Sequence, residues 1–234
     1  MHVKALIAGY EVMFAGPHMD MTLSPADIAS LSSVFDEEGY DVGPRRLSYL
    51  LDERMGARAA RIRETGMETP LDVLLGNMLD DLEMDAPSLV PRLVDSVASR
   101  RMERFRAVDG CVELIRSLRE SKVAVGMVCN APIGIPPDHI RELIERCGLG
   151  GLIDDMQFSS ENGVVRPHAR PYRYLISNLD ISPGETSVIT GIPEEMEVLR
   201  RLGFENIFFP DLGELPNPDG AVTIHELAEV SRFL

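Results

Sequence analysis

The stretch that most restricts the fold is Val123–Pro132, VAVGMVCNAP, a short valine-rich run closed by a polar Asn and a Pro. A run of this length, bracketed by helical periodicity, fits a strand buried inside a parallel sheet. In an open α/β sheet the ligand crevice lies outside the carboxyl ends of the strands, which puts Cys129 and Asn130 where a site would form.

The flanking sequence repeats this alternation. Cys111, Leu114, Ile115 and Leu118 share one helical face before the strand, and Ile140, Leu143, Ile144 and Cys147 share another after it. Leu152 to Phe158, Thr186 to Thr190, Asn206 to Phe209 and Val222 to Ile224 are further strand candidates. Helical patterns at Tyr172 to Leu179, Glu194 to Leu202 and His225 to Leu234 separate or follow them. Strands alternating with helices imply βαβ units and a parallel sheet.

Near the amino terminus, Val3 to Ala8 is one more strand candidate, and Glu11 interrupts the apolar opening in a way that suits a strand better than a signal peptide. Ser24-Pro25-Ala26-Asp27 then combines a cap, a Pro at the first helical position and an acid three residues after the cap, so a helix starts there and stops near Gly39. From Pro44 to Arg106 only helical periodicity is found, carried by Leu47, Leu50 and Leu51, by Leu71 to Leu82, and by Leu89, Leu93 and Val97. The expected architecture is therefore α/β: a Rossmann-like parallel sheet core from residues 1–15 and 108–234, with an inserted α-helical cap of about four helices at 16–107.

Acidic residues outnumber basic ones, 38 to 23, for a net charge of −15. That field repels nucleic acid and anionic membranes. No stretch reaches the length of a membrane span. The three cysteines, Cys111, Cys129 and Cys147, are far apart and read as free thiols without metal spacing. A soluble, cytoplasmic protein is expected.

In its order of pieces the chain resembles the haloacid dehalogenase-like (HAD) superfamily with a helical cap after the first strand. The resemblance is carried by FRAVDGCVELIRSLRESKVAVGMVCNAP and GVVRPHARPYRYLISNLDISPGETSVITGIPEEMEVLRRLGF and spans nearly the whole chain. It implies a first strand ending in Asp-x-Asp-Gly-Thr with a nucleophilic Asp, a second ending in Ser/Thr-Asn, a Lys-Pro pair, and a Gly-Asp pair that holds magnesium.

The motifs of this chain depart from that pattern. Gly9 stands at the nucleophile position and Glu11 at the proton-transfer position two residues on. A second register, through HMDMTL, assigns the same roles to His18 and Asp20. It requires Ala15-Gly16-Pro17 to be a central strand, which Pro disfavours, and the sequence leaves the choice open. Cys129 replaces the phosphate-binding hydroxyl, with Asn130 kept beside it; Arg166-Pro167 replaces Lys-Pro; and Ile192 replaces the metal-binding Asp. Glu194, Glu195 and Glu197 read as acids favouring a helix amino terminus.

With the nucleophile and metal carboxylates both replaced, the resemblance implies no metal and no cofactor here. It leaves Asn130 and Arg166 as a candidate anion-binding pair, weak at best because Cys129 is a poor donor and the overall charge repels anions. The expected role is a catalytically inactive HAD-like protein that works by binding a protein partner, with neither nucleic acid nor membrane. Methionines of the cap region (Met55, Met67, Met78, Met84 and Met102) read mostly as core filler, with an adaptable contact surface as the alternative. Two other roles stay open: a divergent hydrolase using Glu11 or Asp20 with Asn130 and Arg166, and a weak sensor of a phosphorylated metabolite.

Overall fold

The computed structural model describes residues 3–16, 22–211 and 218–232. The chain runs β1 (Ala5–Gly9), α1 (Tyr10–Met13), β2 (Phe14–Ala15), α2 (Pro25–Glu37), α3 (Pro44–Thr65), α4 (Leu71–Asp81), α5 (Leu89–Met102), β3 (Arg106–Ala107), α6 (Cys111–Glu120) and β4 (Ala124–Cys129). It continues through α7 (Pro137–Arg146), β5 (Asp155–Phe158), α8 (Ser159–Asn162), α9 (Arg170–Asn178), β6 (Thr186–Ile189), α10 (Glu195–Leu202), β7 (Asn206–Pro210) and β8 (Val222–Ile224).

Six strands form one sheet in the order β5-β4-β1-β6-β7-β8, with every neighbouring pair parallel. β1 is central, and all five of its residues are buried. Side chains alternate across the sheet, as strand geometry requires. Leu6, Ala8, Val125 and Met127 enter the cluster that continues into the inserted helices, whereas Ile7, Val128 and Val188 pack with Tyr172, Leu175 and Leu199 on the opposite face.

β1 ends at Gly9, opposite Val128 of β4. Phe14–Ala15 pairs antiparallel with Arg106–Ala107 in a separate two-stranded ribbon, so the segment approaching Gly16 is no strand of the main sheet. His18 and Asp20 lie outside the described residues. The ribbon brings the two ends of the helical insertion side by side.

The insertion forms from local signals and is then tied down by buried charge. Ser24 caps α2 through a full capping box: its N–H donates to Asp27 Oδ2 at 2.8 Å and its Oγ accepts from the Asp27 N–H at 3.2 Å. Asp27 also accepts from Arg101 Nη2 of α5 at 2.8 Å, and both side chains are buried. α3 begins with Pro44 at its first turn and stops at Gly66, whose left-handed φ of 67° ends the helix without a Cβ penalty.

Beyond Gly66 the insertion is fastened to the sheet layer a second time. Met67 bridges Val164 antiparallel, the Glu68 N–H donates to Gly163, and the Val165 N–H donates to Gly66. Glu68 receives a bidentate pair from Arg58 at 2.8 and 2.9 Å and a hydrogen bond from Ser159 Oγ at 2.9 Å. That hydroxyl in turn accepts from the Ala131 N–H, just past β4. Helix α3, the segment after it and the carboxyl end of the sheet are thus one hydrogen-bonded unit.

One hydrophobic cluster runs without interruption from β1 and β4 through Phe14, Phe105 and the faces of α2 to α5. Met55, Met78 and Met102 are buried in it, and Met67 and Met84 are half-buried. Three of the five thus fill the interior, each on the apolar stripe of its helix, and Met67 and Met84 keep part of their surface. Among the described residues no helix is long and apolar enough to cross a membrane.

Removing one member of a buried pair leaves an uncompensated charge. Glu68→Ala should cost about 3–5 kcal/mol in urea unfolding. The exposed i,i+4 pair Arg201–Glu197 is the control, and Arg201→Ala should change stability by no more than about 0.5 kcal/mol.

Candidate functional site

The carboxyl ends of β1, β4 and β6 converge, and the residues named from the motifs meet there. β1 delivers Gly9 and α1 delivers Glu11; β4 delivers Cys129 and Asn130; the loop after α8 delivers Arg166; β6 leads to Gly191 and Ile192. Arg166 is the centre of the group, with its side chain 2% exposed.

Glu11 folds back over Gly9. Its Oε1 accepts from Arg166 Nη1 at 3.3 Å and from the Gly191 N–H at 3.0 Å, and its Oε2 pairs with Arg166 Nη2. On the other side, Arg166 Nε stands 3.5 Å from Glu195 Oε1. Glu195 is fully buried, accepts from Tyr172 Oη at 2.7 Å and shares a hydrogen bond with Thr190 Oγ1, which also accepts from the Ile192 N–H at 3.0 Å. One guanidinium is held between two carboxylates.

This geometry corrects two expectations. Glu195 is no solvated helix-start acid: α10 begins against the sheet end, so its first-turn carboxylate points inward to Arg166, Tyr172 and Thr190. Arg166 and Asn130 come together, yet neither is open to an anion. The Arg166 charge is matched by Glu11 and Glu195. Asn130 accepts from the Arg166 N–H at 2.7 Å and donates to the Arg166 carbonyl at 3.4 Å, so its amide clamps the backbone ahead of the cis Arg166–Pro167 bond.

Cys129 ends β4, but it is 2% exposed and does not face an open crevice. Burial pushes its thiol well above the ordinary cysteine range, and neighbouring Arg166 offsets this only in part, so the nucleophilic thiolate is suppressed.

The cover over β4 explains that burial. Residues Ala131 to Ile135 are all buried and press against the inserted helices. Ile133 holds a left-handed φ of 47° at zero exposure, an outlier for a β-branched side chain. Gly134 follows because a Cβ there would stand 2.7 Å from the Thr69 carbonyl and 3.0 Å from the Leu71 nitrogen. The insertion lies directly on this loop, with no room for a side chain between them.

At Gly9 the crowding has a different source. A Cβ on this residue would stand 2.3 Å from Glu11 Oε1 and 2.7 Å from Arg166 Nη1. The space that a nucleophilic carboxylate would need is filled by the ion pair. Magnesium, which the family resemblance implies, does not fit here either. Gly9 and Ile192 offer no side-chain oxygen, and of the described carboxylates here, Glu11 and Glu195 both face the Arg166 guanidinium, which would repel the ion. Among the described residues no group of three or more His, Cys, Asp or Glu is arranged to hold a metal.

The sequence reading missed Glu195 as a partner of Arg166, and Tyr172 and Thr190 as the hydroxyls that hold Glu195. Only the position of Glu195 three residues past Ile192 offered a signal, and helix-start acids are too common for it to stand out.

The two carboxylates respond oppositely to pH. Burial pushes Glu11 up, but the charge and hydrogen bonds of Arg166 and the Gly191 N–H outweigh it and hold the group below the ordinary range. Burial first, and then the Glu11 charge, push Glu195 above the ordinary range, against the pull of Arg166. The Glu11 contribution is therefore present above its unfolded pKa and is lost as pH falls through the folded one. The Glu195 contribution is present at acid pH and is lost as pH rises through its raised pKa. Urea unfolding as a function of pH should show Glu11→Gln destabilised at pH 7 by about 1.5–3 kcal/mol, with the gap closing in acid. Glu195→Gln should gain on wild type as pH rises.

No protein-family model matches the chain, and no curated protein matches its sequence. Solved structures match it end to end. The HAD phosphatase from Thermococcus onnurineus is 15% identical, over 99% of this chain and 97% of that one, with a TM-score of 0.61. The L-2-haloacid dehalogenase RSc1362 is 15% identical, over 100% and 99%, at 0.59. A HAD-superfamily hydrolase from Ehrlichia chaffeensis is 15% identical, over 99% and 96%, at 0.53. A central β1 followed by a helical insertion, a fully parallel sheet and these matches lead to one conclusion: the chain has the haloacid dehalogenase-like fold.

Proposed function

We propose that this is a catalytically inactive HAD-like protein that acts by binding. The observation that carries the reading is the Glu11–Arg166 pair lying over Gly9, so that the nucleophile position is both empty of a functional group and filled by other atoms. Covalent catalysis needs an activated nucleophile within reach of substrate. Here Glu11 is paired, Cys129 is buried and protonated, and Glu195 is enclosed.

The phosphorylated-metabolite reading is weakened by the same pair, because an entering phosphate would have to displace Glu11 from Arg166. With the carboxyl ends of β1 and β4 covered, a protein partner is met on the outside of the inserted helices. Tyr49 of α3 is 70% exposed there, with Tyr40 and Val73 also exposed, and aromatic side chains of this kind are enriched at interfaces. Free thiols at Cys111, Cys129 and Cys147 suit a cytoplasmic setting within this reading.

Arg166→Ala is a poor probe of anion binding. It strands Glu11 and Glu195 beside each other and should cost about 3–5 kcal/mol of stability. The decisive assay follows hydrolysis of p-nitrophenyl phosphate and of 2-chloropropionate, with and without magnesium, for wild type and Glu11→Ala. The expected result is no turnover above buffer for either protein. Turnover that wild type shows and Glu11→Ala loses would establish the divergent-hydrolase reading instead.

A further inference from the structure

Beside the filled site, and sharing Glu11 and Gly191 with it, a cleft of about 770 Å³ opens at the same end of the sheet. Its wall is built from Val12 after β1, Gly191 after β6, Pro210 at the end of β7 and Ile224 at the end of β8, and none of its lining belongs to helices α2 to α5. Two general rules bear on it. Ligands of open α/β sheets bind outside the carboxyl ends of the strands, and small-molecule sites run about 300–1,000 Å³ with a mostly apolar lining and few polar groups.

The lining is apolar at its base, where Val12, Ile224 and Leu227 are buried, and acidic at its rim. Three carboxylates line it, Glu11, Asp109 and Glu226, with no lysine or arginine among the described lining residues. Glu11 is neutralised by Arg166, and His225 turns its Nδ1 to Asp211 at 3.1 Å. Asp109 and Glu226 therefore supply the net charge of the cleft, within a protein that carries −15 overall. An anion is repelled twice, by the rim and by the whole molecule. Among the described residues a divalent metal would find no converging set of ligands.

We propose that this cleft binds a small organic amine, its apolar body against Val12, Ile224 and Leu227 and its ammonium between Asp109 and Glu226. The cleft borders the Gly9 position and shares Glu11 and Gly191 with it, and the proposal goes beyond the binding role inferred above.

The test uses the full chain, labelled with 15N, and follows the amides of Gly110 and Gly191 in the cleft wall. It is titrated at matched ionic strength with phenethylamine and with two isosteres, phenethyl alcohol and phenylacetate. Saturable shifts at both glycines are expected with the amine, with binding weaker by about tenfold for the alcohol and weaker still for the acid. Asp109→Asn combined with Glu226→Gln should weaken the amine by about tenfold, and because both positions are exposed the urea midpoint should not move. The proposal is overturned if the amine gives no saturable shift at these glycines, if phenylacetate binds as well as the amine, or if the double variant keeps its affinity. It is likewise overturned if an oligolysine peptide saturates the cleft while the amine does not, which would assign the surface to a basic protein segment.

Discussion

Arg166 sits at the junction of three strands with a carboxylate on each side, and the character of this end of the molecule follows from that placement. A buried guanidinium cannot shed its charge, so the fold must supply anions. Glu11 arrives from the turn after β1 and Glu195 from the first turn of α10. Glycine at position 9 leaves room for the arrangement, since a Cβ there would press on the ends of both paired side chains. A residue without a side chain at position 9 and a salt bridge folded over it are thus parts of one arrangement.

The other half of the site is closed by hydrophobic packing. The loop after β4 adopts a left-handed turn at Ile133 and is pressed under the segment that follows α3, while Arg58, Glu68 and Ser159 fasten that segment to the sheet layer. Buried pairs of this kind add little net stability over an apolar equivalent, but breaking one is expensive, so they fix which surfaces meet. Beside this electrostatic closure over β1 and steric closure over β4, an acidic cleft next to β7 and β8 stays open among the described residues.

Much of the fold was legible because its signals are local. Apolar runs at Val123 to Val128 and Thr186 to Ile189 could only be buried strands, and Ser24 with Asp27 announced a helix that forms with its capping box intact. The ribbon of Phe14–Ala15 with Arg106–Ala107 left no trace, since two-residue strands carry no periodicity. The site was legible as a set of positions: Gly9, Glu11, Cys129, Asn130, Arg166 and Ile192 do converge. What they do to one another was not. Whether a carboxylate such as Glu195 faces water or a buried arginine depends on the angle at which α10 leaves the sheet, and that is set by tertiary packing alone.

The central claim is that the groups a phosphoryl-transfer site would need are committed to each other, so that neither metal nor phosphate can enter. Calorimetry of the wild-type chain with inorganic phosphate, in the presence and absence of magnesium, addresses it most directly. The account predicts no magnesium-dependent heat of phosphate binding. Saturable phosphate binding that requires magnesium and disappears in Glu11→Ala would show that the Glu11–Arg166 pair opens to admit a ligand, and would contradict it.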